Sequence, residues 1–114
     1  MTGKGMRQQT YLILLALAEG PLHGYGVIQS VRELSGGDVT LGPGTLYGAL
    51  DRLAAEGRVA VSGEEIVDGR HRRYYTLTPD GHRAVVEETA RLSTLAATAR
   101  RRLRTSSSRP ALGL

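Results

Sequence analysis

The sequence predicts a mainly α-helical chain with one small β-hairpin, an α+β fold in a single domain. Three observations carry this. Apolar residues recur at helical spacing through the first half and again after residue 78, and between residues 59 and 77 the period changes to two around Asp68-Gly69. The third is size, since 114 residues without Trp or Phe can fill only one modest aliphatic core.

The first helix is expected over residues 6–18, preceded by a flexible lead of residues 1–9 and ended by Gly20 and Pro21. Tyr11, Leu12, Ile13, Leu14, Leu15 and Leu17 cover more than one face, which suits a central or interface helix. The apolar run is too short to cross a bilayer. Glu19-Gly20-Pro21 follows it where a signal peptide would show a small-residue cleavage site, so a cytoplasmic protein that does not engage membranes is expected.

A second helix is expected from His23-Gly24 to Ser35, with Val27, Ile28, Val31 and Leu34 on its dry side. His23 reads as a structural residue where that helix begins. The third helix opens with Gly42 as N-cap and Pro43 at the first position, where its missing N–H costs nothing. At 100° per residue Leu46, Ala49, Leu50 and Leu53 share one side, while Gly44, Gly48, Asp51 and Arg52 lie opposite, with Thr45 and Tyr47 on the flanks. Two glycines at i, i+4 weaken a helix by about 1 kcal/mol each. Their gain is close approach of the backbone to another surface, which is either a neighbouring helix or something outside the protein.

Asp68-Gly69 is a two-residue hairpin signal. It pairs Val67 with Arg70, Ile66 with His71, Glu65 with Arg72 and Glu64 with Arg73. Arg72 and Arg73 thus have carboxylate partners available, whereas Arg70, at the tip, has none and is the first candidate for an external anion. Thr78-Pro79-Asp80-Gly81 then caps a last helix expected over residues 79–104, with a disordered tail over residues 105–114. Val85, Thr89, Leu92, Leu95, Ala96, Ala99 and Leu103 form a stripe at threes and fours, a seam for another helix. No other helix in the chain matches its length, so the partner is expected to be a second copy. Arg100, Arg101, Arg102 and Arg104 suit either the helix dipole or a DNA contact.

Net charge is +4, but its placement matters more. Residues 1–39 are neutral, residues 40–80 carry −1, and residues 81–114 carry seven arginines against Glu87 and Glu88. Without cysteine there is no disulfide, thiolate metal site or cysteine nucleophile. His23, His71 and His82 are scattered, and no Gly-rich phosphate loop is present. No catalytic, cofactor or metal site is therefore expected, and an enzyme is the least supported class.

Helix, helix, recognition-like helix and basic-tipped hairpin is the order of a winged helix-turn-helix, expected over residues 10–78, with the helix of residues 79–104 for dimerisation. Over about residues 10–100 the chain resembles the PadR family of transcriptional regulators. The resemblance lies in Leu14 to Leu17, Gly20-Pro21-Leu22-His23-Gly24-Tyr25, Gly44-Thr45-Leu46-Tyr47 with Leu50 and Leu53, Glu56-Gly57, and Arg72-Arg73-Tyr74-Tyr75-Thr76-Leu77-Thr78-Pro79-Asp80-Gly81. It implies a homodimeric repressor with the third helix in the major groove of a pseudo-palindromic operator in double-stranded DNA, the wing on the backbone or minor groove, and a small-molecule effector near the dimer interface.

The candidate DNA-binding residues are Gly44, Thr45, Tyr47, Gly48, Arg52, Arg70, Arg72 and Arg73. Arg52 can read guanine, Thr45 or Tyr47 can hold phosphate, and Arg70 is the wing contact. The chain departs from the family at Gly48, often proline there, and at Gly42, which replaces a polar cap. Its lack of Trp leaves no counterpart to the aromatic drug pores of some relatives. The negative balance of residues 40–80 supports one alternative, a winged-helix module that binds protein instead of DNA.

Overall fold

A computed structural model describes residues 5–108, with side chains to residue 106. Four helices and a three-stranded antiparallel sheet follow in the order α1 (Gln8–Ala16), β1 (Leu22–His23), α2 (Gly24–Leu34), α3 (Pro43–Ala55), β2 (Val59–Val67), β3 (Arg70–Leu77) and α4 (Pro79–Ser108). The fold class and element order are those the sequence indicates, with β1 as an addition.

α1 gives way to a tighter turn after Ala16, where the Leu17 N–H donates to the Leu14 carbonyl, and Gly20 follows at φ 152°. α2 starts at a histidine cap. The Gly26 N–H donates to Nδ1 of His23 at 3.2 Å, satisfying one of the free donors of the first turn. The His23 ring meets Tyr74 edge to face, with centroids 5.4 Å apart. The structural role expected of His23 is thus assigned to two contacts.

The core is aliphatic apart from Tyr75. Ile13 and Leu14 from α1, Leu17 just after it, Val27 and Val31 from α2, and Leu46, Leu50 and Leu53 from α3 are essentially sealed from water. Each such side chain stabilises the fold by about 1.5–3 kcal/mol relative to an exposed one. Val59 and Tyr75 close this core from the sheet, and Val85 closes it from α4.

The hairpin takes the register read from Asp68-Gly69, from Val67 opposite Arg70 to Glu64 opposite Arg73. Asp68 and Gly69 sit at φ 51° and 76°, the doubly left-handed turn whose twist matches the strands. One bulge was not foreseen. Val61 pairs with Tyr75 and Gly63 with Tyr74, leaving Ser62 as an extra residue in β2. The sheet order β1-β3-β2 places β3 at the centre, with Leu22 and His23 opposite Tyr75 and Tyr74.

Thr78 caps α4 as expected, its Oγ1 accepting the Gly81 N–H at 3.0 Å and donating to the Gly57 carbonyl at 2.6 Å. Gly81 is required here, because a Cβ would fall inside the carbonyl of Arg58. α4 is longer than expected, 30 residues and about 45 Å, and gives the molecule its 69 Å long axis. Residues 105–108, expected in a disordered tail, are helical; neither glycine nor proline interrupts them, and the Thr105 hydroxyl bonds back to the Arg101 carbonyl at 3.2 Å. The expectations for residues 1–4 and 109–114 lie outside the described residues.

The first half of α4 packs on α1. The Tyr11 and Thr89 hydroxyls are 2.7 Å apart. Glu88 is buried, gripped by Nε and Nη2 of Arg91 at 2.9 and 2.6 Å, and it accepts the Met6 N–H. These bonds, Arg91 foremost, hold the Glu88 carboxyl below its ordinary pKa against the opposing effect of burial. Residues 5–9, expected to be flexible, are therefore tied to α4. Val85 belongs to this subunit's own core, not to a seam between copies. Thr89 is exposed and bonds Tyr11 within the subunit. Among the described residues no helix is long and apolar enough to cross a membrane.

Candidate nucleic-acid interface

The outward face of α3 is open. A Cβ built on Gly42, Gly44 or Gly48 would meet no described atom within 4 Å beyond its own local backbone. Of the two accounts of the glycine face, packing against a neighbouring helix finds no such helix among the described residues. What remains is a strip of bare backbone at the N-terminal half of α3, flanked by exposed Thr45 and presented to whatever lies outside.

Tyr47 leaves that strip sideways. It is 44% exposed, and its hydroxyl lies over Gly24 so closely that a Cβ at Gly24 would overlap it. Gly24 is thus the close neighbour that seats Tyr47, a contact the His23-Gly24-Tyr25 motif does not show by itself. Arg52 is exposed, as its place on the wheel predicts. Its Nη2 donates to Thr10 Oγ1 at 3.1 Å, tying the end of α3 to α1. Thr10 is the partner that sequence reasoning missed.

The wing sorts its cations by the carboxylates opposite them. Arg73 Nε lies 3.5 Å from Glu64, whose Oε1 also meets His71 Nε2 at 3.0 Å. The Tyr75 hydroxyl and then Glu64 hold the Arg73 guanidinium above its ordinary pKa, so this arginine is engaged within the hairpin. Glu65 does not take Arg72, its neighbour in register, because it accepts the Tyr74 hydroxyl at 2.6 Å, a diagonal contact on the same face. Arg72 and Arg70 are consequently without a carboxylate among the described residues, Arg72 half-buried and Arg70 exposed at the tip. The structure frees Arg72, which the sequence paired, and leaves Arg70 as expected.

No group of His, Asp or Glu that could hold a metal ion occurs among the described residues. The depressions on a single chain are open shelves, such as one of about 340 Å³ bounded by Ala16, Pro21, Leu22 and Gln29.

The family model described as the transcriptional regulator PadR-like family matches residues 13–87. The chain belongs to that family. A transcriptional regulator of Mycobacterium tuberculosis is 43% identical over 84 residues, covering 74% of this chain and 75% of its own. An uncharacterized 37.1 kDa protein in a Streptomyces fradiae transposon is 46% identical over 85 residues, or 72% of this chain, but the match spans only 23% of that protein. The crystal structure of Bacillus subtilis PadR in complex with operator DNA superposes with a TM-score of 0.63 at 28% identity, over 72% of this chain and 46% of that one. PadR-like proteins are transcriptional regulators and not enzymes, which agrees with the class expected from the sequence.

Proposed function

We propose that this PadR-like protein is a homodimeric, sequence-specific DNA-binding repressor whose grip is relieved by a small-molecule effector. The observation that carries the reading is the open strip of α3. Gly48 weakens an exposed helix interior by about 1 kcal/mol and Gly44, in the first turn, adds to this, yet nothing among the described residues uses the space they leave. A major groove that meets backbone instead of side chains would use it. Gly44, Thr45 and Gly48 then face base edges, Tyr47 reaches phosphate from the flank, and Arg70 and Arg72 anchor the wing. Arg73 and Arg52 contribute only by leaving Glu64 and Thr10. The complex of Bacillus subtilis PadR with operator DNA supports a DNA partner by analogy.

Dimerisation is assigned to the outer half of α4. Leu95 and Leu103 are 56% and 66% exposed, and Ala96 and Ala99 continue their stripe. Leu92, half-buried, joins this stripe to the part that packs within the subunit. An effector site is placed where two such stripes meet.

A fluorescence titration against duplex from upstream of the protein's own gene, beside a scrambled duplex of equal length, tests this reading. Saturable binding at least a hundredfold tighter to the former is expected, with two chains per site. Equal, weak binding to both would leave the protein-interaction alternative standing.

A further inference from the structure

The densest charge on the molecule is not on α3 or the wing. Arg100, Arg101, Arg102 and Arg104 fall within five residues of α4, all are exposed, and none meets a carboxylate among the described residues. No Asp or Glu follows Glu88 anywhere in the sequence. The helix dipole would account for such a run if it ended the helix. It does not, because α4 continues to Ser108 with no basic residue in its last turn, and the dipole's pull fades within that turn. Arg100 and Arg104 are moreover like charges at i, i+4, a spacing that destabilises a helix. The cluster therefore carries a cost that no ion pair among the described residues offsets.

We propose that this part of α4 is a second phosphate-binding surface, which holds duplex DNA outside the segment covered by α3 and the wing. It rests on the DNA-binding reading above. At 100° per residue Arg101 lies opposite the Leu95–Leu103 stripe and Arg104 more than 90° from it, with Arg100 and Arg102 nearer its flanks. Pairing two stripes thus leaves Arg101 and Arg104 in water. A helix lying on a membrane gathers its cations opposite a broad apolar face anchored by Trp, Tyr or Phe, and α4 contains none of the three. Cations around most of a helix suit the sugar-phosphate backbone, which asks for positive charge more than for fixed stereochemistry. The preference for arginine carries no weight, because Lys4 is the single lysine in the chain. Arg100 stands about 32 Å along α4 from Pro79, so the cluster meets a different stretch of DNA from the one α3 reads.

The test is the double substitution R101Q/R104Q, which spares the stripe, titrated across salt concentrations on two duplexes. One is about 20 base pairs, long enough for two half-sites a helical turn apart; the other adds about 20 more on each side. On the long duplex the slope of log K against log salt is expected to become shallower by about 1.8 per chain, at about 0.9 for each phosphate released. On the short duplex the variant should match wild type. R70A, as a control, should lose affinity on both. Unchanged slopes on both duplexes would overturn the proposal while operator binding stands. So would an equal loss on both, or a weakened dimer with the slopes intact. Wild-type protein that binds neither duplex would instead bring down the DNA-binding reading itself.

Discussion

Gly48→Ala separates what α3 does for the fold from what it does for recognition. Gly48 lies in the helix interior with no heavy atom within 4 Å of the place an alanine methyl would take, so the substitution costs no packing. Alanine is favoured over glycine there by about 1 kcal/mol. For a chain of this size that raises Tm by about 4 °C. If the groove approaches bare backbone at this position, the same methyl intrudes on it. The expected loss of operator affinity is about tenfold, at the low end of the roughly 1–3 kcal/mol carried by one base contact. Thermal unfolding followed by circular dichroism reads the first quantity, and fluorescence anisotropy on operator duplex reads the second. A variant that is more stable and binds equally well would refute the close-approach argument. A variant that is less stable would refute the open face itself.

Arg70→Ala is expected to weaken operator and random duplex alike and to reduce the salt slope by about 0.9 per wing, read from titrations between 50 and 200 mM salt. Thr45→Ala should lower the ratio of operator to random affinity more than Arg52→Ala does, since the Arg52 guanidinium is already bonded to Thr10; the reverse order would restore Arg52 as the reading residue. Leu95→Glu with Leu103→Glu should shift sedimentation from dimer to monomer at micromolar protein while leaving the near-ultraviolet signal of the core tyrosine in place. For Glu88 the folded pKa is depressed, so its stabilisation is present above the ordinary carboxylate pKa and fades as pH falls through the folded value. Glu88→Gln should therefore cost about 1 kcal/mol in urea unfolding at pH 7, and progressively less on acidification below the range where carboxylates ordinarily titrate.

Much of this was legible because it is written locally. Asp68-Gly69 dictates a turn that fixes the whole hairpin register, and Thr78-Pro79-Asp80-Gly81 places the start of α4 to the residue. What escaped depends on residues far apart in the chain. β1 is two residues long and exists only because β3, some fifty positions later, offers Tyr74 and Tyr75 as partners. The bond from Arg52 to Thr10 spans 42 positions and gives an exposed side chain a partner that a helical wheel cannot show. Glu65 had two acceptable partners on one face, Arg72 and the Tyr74 hydroxyl, and register alone could not rank them. The α4 stripe is continuous in sequence, yet α1 covers one part and leaves the other open, a division set by where α1 and the residues before it begin, with Tyr11 against Thr89, Met6 against Glu88 and Gly5 against Arg91.

Tyr47 resting on Gly24, His23 capping α2 while its ring meets Tyr74, and β1 bonded to β3 bring three separate sequence motifs to one junction. That junction ties α2, α3 and the wing into a single block within one copy. In the dimeric repressor proposed above, a signal that releases DNA would then act on the pitch between two such blocks, as calipers lose their hold when the hinge opens though neither jaw has bent.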